Sequence, residues 1–384
     1  MILALAKSHR LLARASALLV LVALGLGCPH RSPEWSPDGQ QLLVLVGREG
    51  EACDAPASSL WLINATNGEK QRVKKPPHEK CRFLAVRWID PQKFLAFTTQ
   101  WEDGQVIDEG EKIWLGDSTS WKEVKGPRPN AARVTRRLPV VLRSEKGVSI
   151  VYPTDDEILA IVSLANGKTL HEIEPAEIIG PGPQGGFLVW RPEDSDTGGI
   201  EIAAISGDAQ DLWTQSFSKL RKGIATKLDK KPLDIVFNDA STSHVPAGKQ
   251  PAQWVGLVVN FSDVSWPQGI TGFYVQLDAK SGELLHVVQG RGVPGQPMGN
   301  DESAWCGLSG SRGQGTPKLT RLDLKSGNPT AVLPLTGVGK NGVHGYSLSP
   351  QGNRFAVSVN GAPARITIHS SNDLAVTKTI ELDV

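Results

Sequence analysis

One pattern recurs seven times in this chain of 384 residues: a short apolar run typical of a β-strand, then a turn of the Asn-Gly type. The turns begin at residues 67, 117, 166, 207, 281, 326 and 371, so the repeat is 41 to 50 residues long except for one step of 74. A period of about 40–50 residues with about four strands per repeat is typical of propeller blades, which bury their faces by stacking on one another. We therefore predict an all-β chain that folds as a single β-propeller with four-stranded antiparallel blades. Seven blades fit the turns best, with eight or six as alternatives.

The run before each turn is predicted to be the third strand of its blade, as at residues 60–64 and 273–278. The long step indicates an insertion around residues 209–251, which includes a weak helix candidate at 211–227. The alternative is an eighth, degenerate blade, because residues 233–237 and 254–260 both have the composition of strands. Both ends of the array are in the same phase, so we expect the ring to close with no exchanged strand, or with a short one after Cys28.

A second motif precedes several of these runs, and it has the composition of a tight turn. Proline presets the first turn dihedral, and glycine accepts the left-handed one. A related but shorter sequence follows Trp88. The motif residues are Trp35, Ser36, Pro37, Asp38 and Gly39 near the start, and Ser349, Pro350 and Gly352 near the end.

This motif resembles the WD40-like repeat of TolB-type propellers, in which a Ser-Pro-Asp-Gly turn joins two strands. The resemblance covers the architecture of the chain and implies a propeller. It does not imply a particular ligand or partner.

The first 27 residues have the pattern of a signal peptide. Lys7, Arg10 and Arg14 supply positive charge with no acidic residue, and from Ala15 to Gly27 every residue except Ser16 is apolar or glycine. That run of 13 residues is shorter than the roughly 20 that a membrane-spanning helix needs. We therefore predict export and cleavage, with residues 28–384 as the mature propeller.

The sequence from Leu24 to Cys28 resembles a bacterial lipobox, in which a small residue precedes the cysteine that is lipidated. Gly27 and Cys28 fit the pattern, and Gly25 stands where an aliphatic residue is usual. We predict lipidation at Cys28 and a lipid-anchored location in the bacterial cell envelope; the alternative is secretion without a lipid.

Removal of residues 1–27 takes three of the 41 basic residues and none of the 40 acidic ones, which leaves a net charge of about −2. Nucleic-acid binding would require a clustered basic face, so we expect no nucleic-acid partner. The short basic run from Arg133 to Arg137 is more typical of a solvated rim than of a phosphate site.

Three cysteines follow Cys28. Cys53 and Cys81 lie in adjacent turn-rich segments, so we predict a disulfide between them, with Cys306 as a free, buried thiol in a strand. None of the cysteines has CxxC spacing, and the histidines of the mature chain are isolated in sequence. We therefore predict no metal site, no cofactor and no catalytic residue. A calcium site in the acidic loop from Glu102 to Glu111 is a minor alternative.

Most of the tryptophans are spread at one or two per repeat, which favours packing between blades. The better candidates for the surface are Trp101, Trp121 and Trp266. The hypothesis from sequence is a non-catalytic protein-binding or scaffold propeller of the envelope, with a protein partner of unknown identity. The alternative is an exported metal-dependent hydrolase, lyase or lactonase with its site at the central channel.

Overall fold

The structure is a computed structural model of the chain. It describes residues 33–47, 56–102, 105–107, 110–156, 158–174, 176–193, 199–229, 235–244, 253–263, 270–289, 298–299, 303–309, 318–323, 328–335, 343–359 and 364–382. In this part of the chain the strands form seven antiparallel sheets; six have four strands paired in sequence order, and one has a fifth, short strand beside its four-stranded path. The predicted all-β propeller with seven four-stranded blades is confirmed.

We number the sheets 1 to 7 along the chain, and their strands have the following bounds. Sheet 1 contains β1 (Glu34–Trp35), β2 (Gln41–Val46), β3 (Ser59–Asn64) and β4 (Lys70–Arg72). Sheet 2 contains β5 (Cys81–Trp88), β6 (Phe94–Glu102), β8 (Lys112–Gly116) and β9 (Trp121–Val124), and the short β7 (Gln105–Val106) pairs with β6. Sheet 3 contains β10 (Val140–Ser144), β11 (Gly147–Pro153), β12 (Leu159–Ser163) and β13 (Thr169–Ile173). Sheet 4 contains β14 (Glu177–Pro181), β15 (Phe187–Pro192), β16 (Ile200–Ile205) and β17 (Asp211–Ser216).

The last three sheets follow the same order. Sheet 5 contains β18 (Ile235–His244), β19 (Trp254–Asp263), β20 (Ile270–Asp278) and β21 (Leu284–Gln289). Sheet 6 contains β22 (Met298–Gly299), β23 (Ser303–Ser309), β24 (Lys318–Asp323) and β25 (Pro329–Pro334). Sheet 7 contains β26 (Val343–Leu348), β27 (Arg354–Val359), β28 (Ala364–Ser370) and β29 (Val376–Leu382). In every sheet, the run that precedes the predicted turn is the third strand on the main path, as expected from the sequence.

This order of strands gives the ring two different sides. The turns that join first to second strands and third to fourth strands lie on one side, which we call the turn side. The links between second and third strands, and those from one sheet to the next, lie on the opposite side, the connection side. First strands are internal, as the burial of β5 shows, whereas fourth strands such as β4 are exposed at the periphery.

Apolar side chains at the borders between sheets form the core. Six buried clusters each combine residues of two neighbouring sheets, and together they join sheets 1–2, 2–3, 3–4, 4–5, 6–7 and 7–1. Burial of each large side chain stabilises the fold by about 1.5–3 kcal/mol, so neighbouring sheets hold one another in place. The predicted packing role of tryptophan is confirmed for six residues that are less than 9% exposed: Trp35, Trp61, Trp88, Trp114, Trp213 and Trp254.

The step of 74 residues between the fourth and fifth turns is explained by the structure. Its residues form β17, the helix α2 (Phe217–Lys227), and the unusually long strands β18 and β19. The two strand-like runs considered for an eighth blade are the first and second strands of sheet 5. Helix α2 is capped by Ser216, whose hydroxyl accepts a hydrogen bond from the Lys219 amide. A shorter helix, α1 (Ala131–Arg136), lies between sheets 2 and 3 and is capped by Asn130.

The turn motif has the predicted geometry in sheets 1 and 7. The Gly39 amide donates to the Ser36 carbonyl at 2.8 Å, and the Gly352 amide donates to the Ser349 carbonyl at the same distance. Both glycines have positive φ, +67° and +71°, which is the left-handed region that favours glycine. Each serine hydroxyl also accepts the amide of the residue five positions later, Gln41 or Arg354, so the same turn is built twice.

Sheets 7 and 1 close the ring without exchanging a strand in the described part of the chain. The two sheets instead donate hydrogen bonds from side chains to each other's backbone carbonyls. The Trp35 indole donates to Ser347 O at 3.1 Å, and the Ser347 hydroxyl donates to Pro33 O. Further donors are Gln351 to Asp38 O (2.8 Å), Arg354 to Gly39 O (2.7 Å), Lys378 to Thr66 O (2.6 Å) and Lys70 to Glu381 O (2.7 Å). We call these contacts the closing junction.

Candidate functional site

The first strand of each sheet is its inner strand, and these strands supply the residues that would face a central site. One polar network connects inner strands of neighbouring sheets. Glu34 in β1 accepts three hydrogen-bond or ionic contacts from sheet 2: its carboxylate lies 2.7 Å from Arg87 Nη1 and accepts the Trp88 amide at 3.0 Å, while its backbone carbonyl accepts the Trp88 indole at 2.9 Å. Arg87 also donates from Nε to the carbonyl of Pro139, next to sheet 3, at 2.8 Å. One arginine therefore connects three consecutive sheets.

The electrostatics of this network agree with a structural role. Burial raises the pKa of Glu34, and the adjacent Arg87 guanidinium opposes that effect. A buried carboxylate with an ion-pair partner and an amide donor has its acceptor capacity largely used within the protein. The sequence did not single out Glu34 or Arg87, although a signal was present, because each directly precedes the tryptophan that ends its inner strand.

The same indole contact is found at two successive borders. Trp35 donates to the backbone of sheet 7, and Trp88 donates to the backbone of sheet 1, each from the last residue of an inner strand. An indole N–H that is buried usually requires such a partner. These two tryptophans are therefore parts of the ring that lock neighbouring sheets in register.

A second polar network lies within sheet 2, near the connection side. The Trp114 indole donates to the Thr98 hydroxyl at 3.0 Å, and His78 Nδ1 lies 3.3 Å from the same oxygen. Burial lowers the pKa of His78, and the nearby Lys112 lowers it further. The neutral imidazole, the hydroxyl and the indole therefore form a hydrogen-bonded group that fixes the chain entering β5.

Cys81 begins β5 beside this group, and its side chain is buried with no disulfide partner among the described residues. Burial raises its pKa to about 11, so the thiolate that reacts or binds metals is scarce at neutral pH. Its predicted partner, Cys53, lies outside the described residues, and the disulfide stays a prediction. Cys306 is in β23, as expected, and pairs in register with Thr320.

The acidic loop proposed for calcium forms an extra hairpin on sheet 2. Strands β6 and β7 extend it, with Trp101 paired opposite Val106 and Glu102 opposite Gln105. Glu102 makes an ion pair with Lys80, while Asp103, Asp108 and Glu109 lie outside the described residues. Trp101 is half-buried and Val106 is exposed, so the hairpin carries an apolar pair on the surface. Trp121 is half-buried, and Trp266 lies outside the described residues.

The basic run Arg133 to Arg137 joins sheets more than it faces solvent. Arg133 donates to Ala176 O at 2.8 Å, and Arg137 lies 3.3 Å from the Glu177 carboxylate, so both reach sheet 4, while Arg136 is exposed.

Within the described ranges, no group of three or more His, Cys, Asp or Glu side chains is placed to hold a metal ion. None of the described helices is long and apolar enough to cross a membrane. Residues 1–27 and Cys28 lie outside the described residues.

No protein-family model matches the sequence, and a comparison with curated proteins finds no match. The TolB-type relationship therefore stays a prediction. Among solved structures, the C-terminal WD40 domain of Sif2 is similar, with a TM-score of 0.52 and 11% identity over 92% of this chain and 86% of that one. The fold is a β-propeller.

Two further solved structures are more distant. The designed protein Ika8 has a TM-score of 0.47 and 13% identity over 92% of this chain and 87% of its own. A eukaryotic initiation factor has a TM-score of 0.45 and 10% identity over 93% and 89%. At these identities, the similarity to the Sif2 domain supports the architecture of this propeller and leaves its function to be argued from its own residues.

Proposed function

We propose that this chain is an exported, lipid-anchored β-propeller that acts as a non-catalytic protein-binding or scaffold module of the bacterial cell envelope. The observation that carries the proposal is the use of the inner-strand polar groups. Glu34, Arg87 and Trp88 are all engaged in contacts between sheets, so they support the ring and are not free to act on a substrate.

Export and anchoring are supported by the sequence before the ring. The basic residues and the apolar run of the first 27 residues have the order of a signal peptide, and Cys28 follows a small residue. The described part of the ring begins at Pro33, five residues after Cys28. Cleavage before Cys28 would therefore leave every described sheet intact.

The anchor is tested on the protein purified from a bacterial membrane fraction. We expect mass spectrometry to find Cys28 as the first residue, with a fatty-acyl modification, and Cys28→Ala to abolish both the modification and the membrane fractionation. Recovery of a chain that still carries residues 1–27, or of an unmodified Cys28 at the N-terminus, would overturn this part of the proposal.

The protein-binding role is tested at the extra hairpin of sheet 2, where Val106 is exposed beside Trp101. We expect a photoreactive amino acid at position 106 to give a discrete crosslinked protein in cells. The matched control places the same group at Asn372, an exposed residue of the turn side. Equal, diffuse crosslinking at both positions would count against a partner at the hairpin.

The enzyme alternative makes the opposite prediction for the inner strands. If the ring were a hydrolase or lactonase with a site at the channel, Glu34→Gln would abolish an ester- or lactone-cleaving activity of the purified protein. We expect no such activity in the wild type. An activity that this substitution removes, while the fold is retained, would replace the scaffold proposal.

A further inference from the structure

Helix α2 carries a concentration of positive charge that has no ion-pair partner among the described residues. Its eleven residues include Lys219, Arg221, Lys222 and Lys227, and no acidic residue. The three lysines are exposed, and Arg221 is half-buried. The mature chain as a whole is slightly acidic, so this charge is a local feature of one surface.

Several other cations of the described residues have carboxylate partners. Ion pairs join Lys80 with Glu102, Lys112 with Glu123, Arg128 with Asp155 and Lys146 with Asp208. The four cations of α2 make no ion pair within the described part of the chain, and the Nε atom of Arg221 is buried there without a hydrogen-bond partner. The acidic residue nearest in sequence is Asp229, two residues after the helix ends.

One of these charges, Lys219, also opposes the helix dipole, whereas Lys227 in the last turn is favourably placed. Lys219 is the third residue of the first turn, where the positive end of the helix dipole favours an acidic side chain. Lys219 and Lys222 are three residues apart, so the two like charges repel on one face. Charges that disfavour their own helix, and that no ion pair with described residues offsets, are expected at a functional surface.

The opposite face of α2 explains why the helix is held firmly. Phe217, Leu220, Ile224 and Ala225 are buried against sheets 4 and 5. The helix is therefore a rigid amphipathic element, with an apolar face inside the ring and a basic face outside. A rigid basic face binds an anionic surface without first having to be ordered.

We infer that the basic face of α2 binds anionic phospholipid headgroups of the membrane that carries the protein. The choice of partner depends on the proposed lipid anchor. Pro33 is five residues from Cys28, so covalent geometry limits their separation to about 17 Å. A ring tethered so closely stays near the bilayer surface, where each exposed lysine adds attraction to anionic lipid.

The topology places the helix start on the appropriate side. Fourth strands end on the connection side of the ring, and first strands begin there. The end of β17, where α2 begins, is therefore on the side from which the chain enters β1. The hairpin of sheet 2 links a second strand to a third strand, so it lies on the same connection side, in a different sector of the ring.

The test uses residues 29–384, which contain all the described sheets and lack the lipid-accepting Cys28. Flotation is measured with vesicles of phosphatidylcholine alone and with vesicles containing about three parts in ten of phosphatidylglycerol. We expect binding to the anionic vesicles only, weakened by salt because exposed charges are screened. The triple variant Lys219→Gln, Lys222→Gln, Lys227→Gln should bind about 100-fold more weakly, at roughly fivefold for each lysine.

The matched control removes the same charge elsewhere, with Lys122→Gln, Lys168→Gln and Lys280→Gln at exposed positions outside the helix. We expect it to bind as the wild type does, and circular dichroism with thermal melting verifies that both variants fold. Equal losses in the two variants, or no preference of the wild type for anionic vesicles, would overturn the inference. Retention on immobilised polyglutamate without binding to anionic vesicles would also overturn it, in favour of an acidic protein partner. None of these results depends on whether Cys28 is lipidated, which the mass measurement decides separately.

Discussion

The closing junction between sheets 7 and 1 differs from the border between sheets 4 and 5. At the closing junction, side chains from both sheets donate to backbone carbonyls across the border, and Arg354 lies over the Trp35 ring at 5.2 Å. At the border of sheets 4 and 5 the packing is mainly apolar, with α2 filling the space, and the Trp213 indole donates to Ala279 O at 3.0 Å.

The difference is one of degree, because the border between the consecutive sheets 1 and 2 also has polar contacts, from Glu34 to Arg87 and Trp88. Sheets 4 and 5 are consecutive in the chain, and α2 packs against both of them. Sheets 7 and 1 are the two ends of the array, and apolar contact alone would allow them to slide or separate. Directional hydrogen bonds fix their relative position, and backbone carbonyls can accept them whatever the side chains are.

The largest effect is expected at the apolar border. Leu220 is fully buried between α2 and the sheets, so Leu220→Ala leaves a cavity and should lower the free energy of unfolding by about 3 kcal/mol. Urea denaturation measures this loss. The control Lys222→Ala changes an exposed residue of the same helix and should alter stability by less than about 0.5 kcal/mol. Similar effects for the two changes would mean that α2 does not pack as described.

The next effect is at the closing junction. Arg354→Ala removes donors to Gly39 O and Ala65 O together with the contact over Trp35, and should lower the free energy of unfolding by about 2 kcal/mol. Arg354→Lys keeps the charge but cannot reach two carbonyls with a planar group, so it should recover only part of this loss. Full recovery by lysine would show that charge alone closes the ring.

Two tryptophans allow the closing junction to be compared directly with the border of sheets 1 and 2, which are consecutive in the chain. Trp35→Phe and Trp88→Phe each remove one indole hydrogen bond to the neighbouring sheet, at the ends of equivalent inner strands. Each should destabilise the protein by about 1–1.5 kcal/mol, because a buried carbonyl loses its donor. Thermal unfolding of both variants tests this equality. A much larger loss for Trp35 would show that this indole contributes more at the closing junction than Trp88 does at the border of sheets 1 and 2.

The smallest effect is a dependence on pH within sheet 7. His369 is fully buried, its Nδ1 lies 2.9 Å from Leu374 O and its Nε2 lies 2.8 Å from Thr367 Oγ1, and burial lowers its pKa below the ordinary 6.5. Below about pH 6.5, His369 is therefore protonated in the unfolded chain but stays neutral in the folded protein until the pH reaches its lower folded pKa. Stability is lost as pH falls from 6.5 towards the folded pKa, by at most about 1.4 kcal/mol per pH unit for this one group.

His369→Gln should make this dependence less steep, as measured by urea denaturation between pH 7 and 5. His78 and His286 also have pKa values lowered by burial, so part of the dependence should remain. An unchanged slope in the variant would mean that His369 does not titrate as its burial predicts.

Much of the architecture could be read from short-range patterns. The Asn-Gly type turns identified the third strand of every sheet, because a two-residue turn between β-runs is a local signal. The turn from Ser36 to Gly39 was predicted for the same reason: its hydrogen bonds lie within five residues of one another. The helix of residues 217–227 was only a weak candidate, because its first predicted residues belong to β17 and its glycine and basic residues blur the apolar face.

The sequence by itself determined the repeat and the turns, since each depends on residues that are near in the chain. It favoured seven sheets, and the structure assigned both strand-like runs of the 74-residue step to sheet 5. Only the tertiary structure decided what Glu34, Arg87 and Arg354 do. Their partners are contributed by other sheets, and for Arg354 and Gly39 the two residues are 315 positions apart. Because these partners lie on different sheets, no local pattern could assign the contacts. The cations of α2 are the reverse case: the sequence contains them, but only the fold shows that no carboxylate of the described residues forms an ion pair with them.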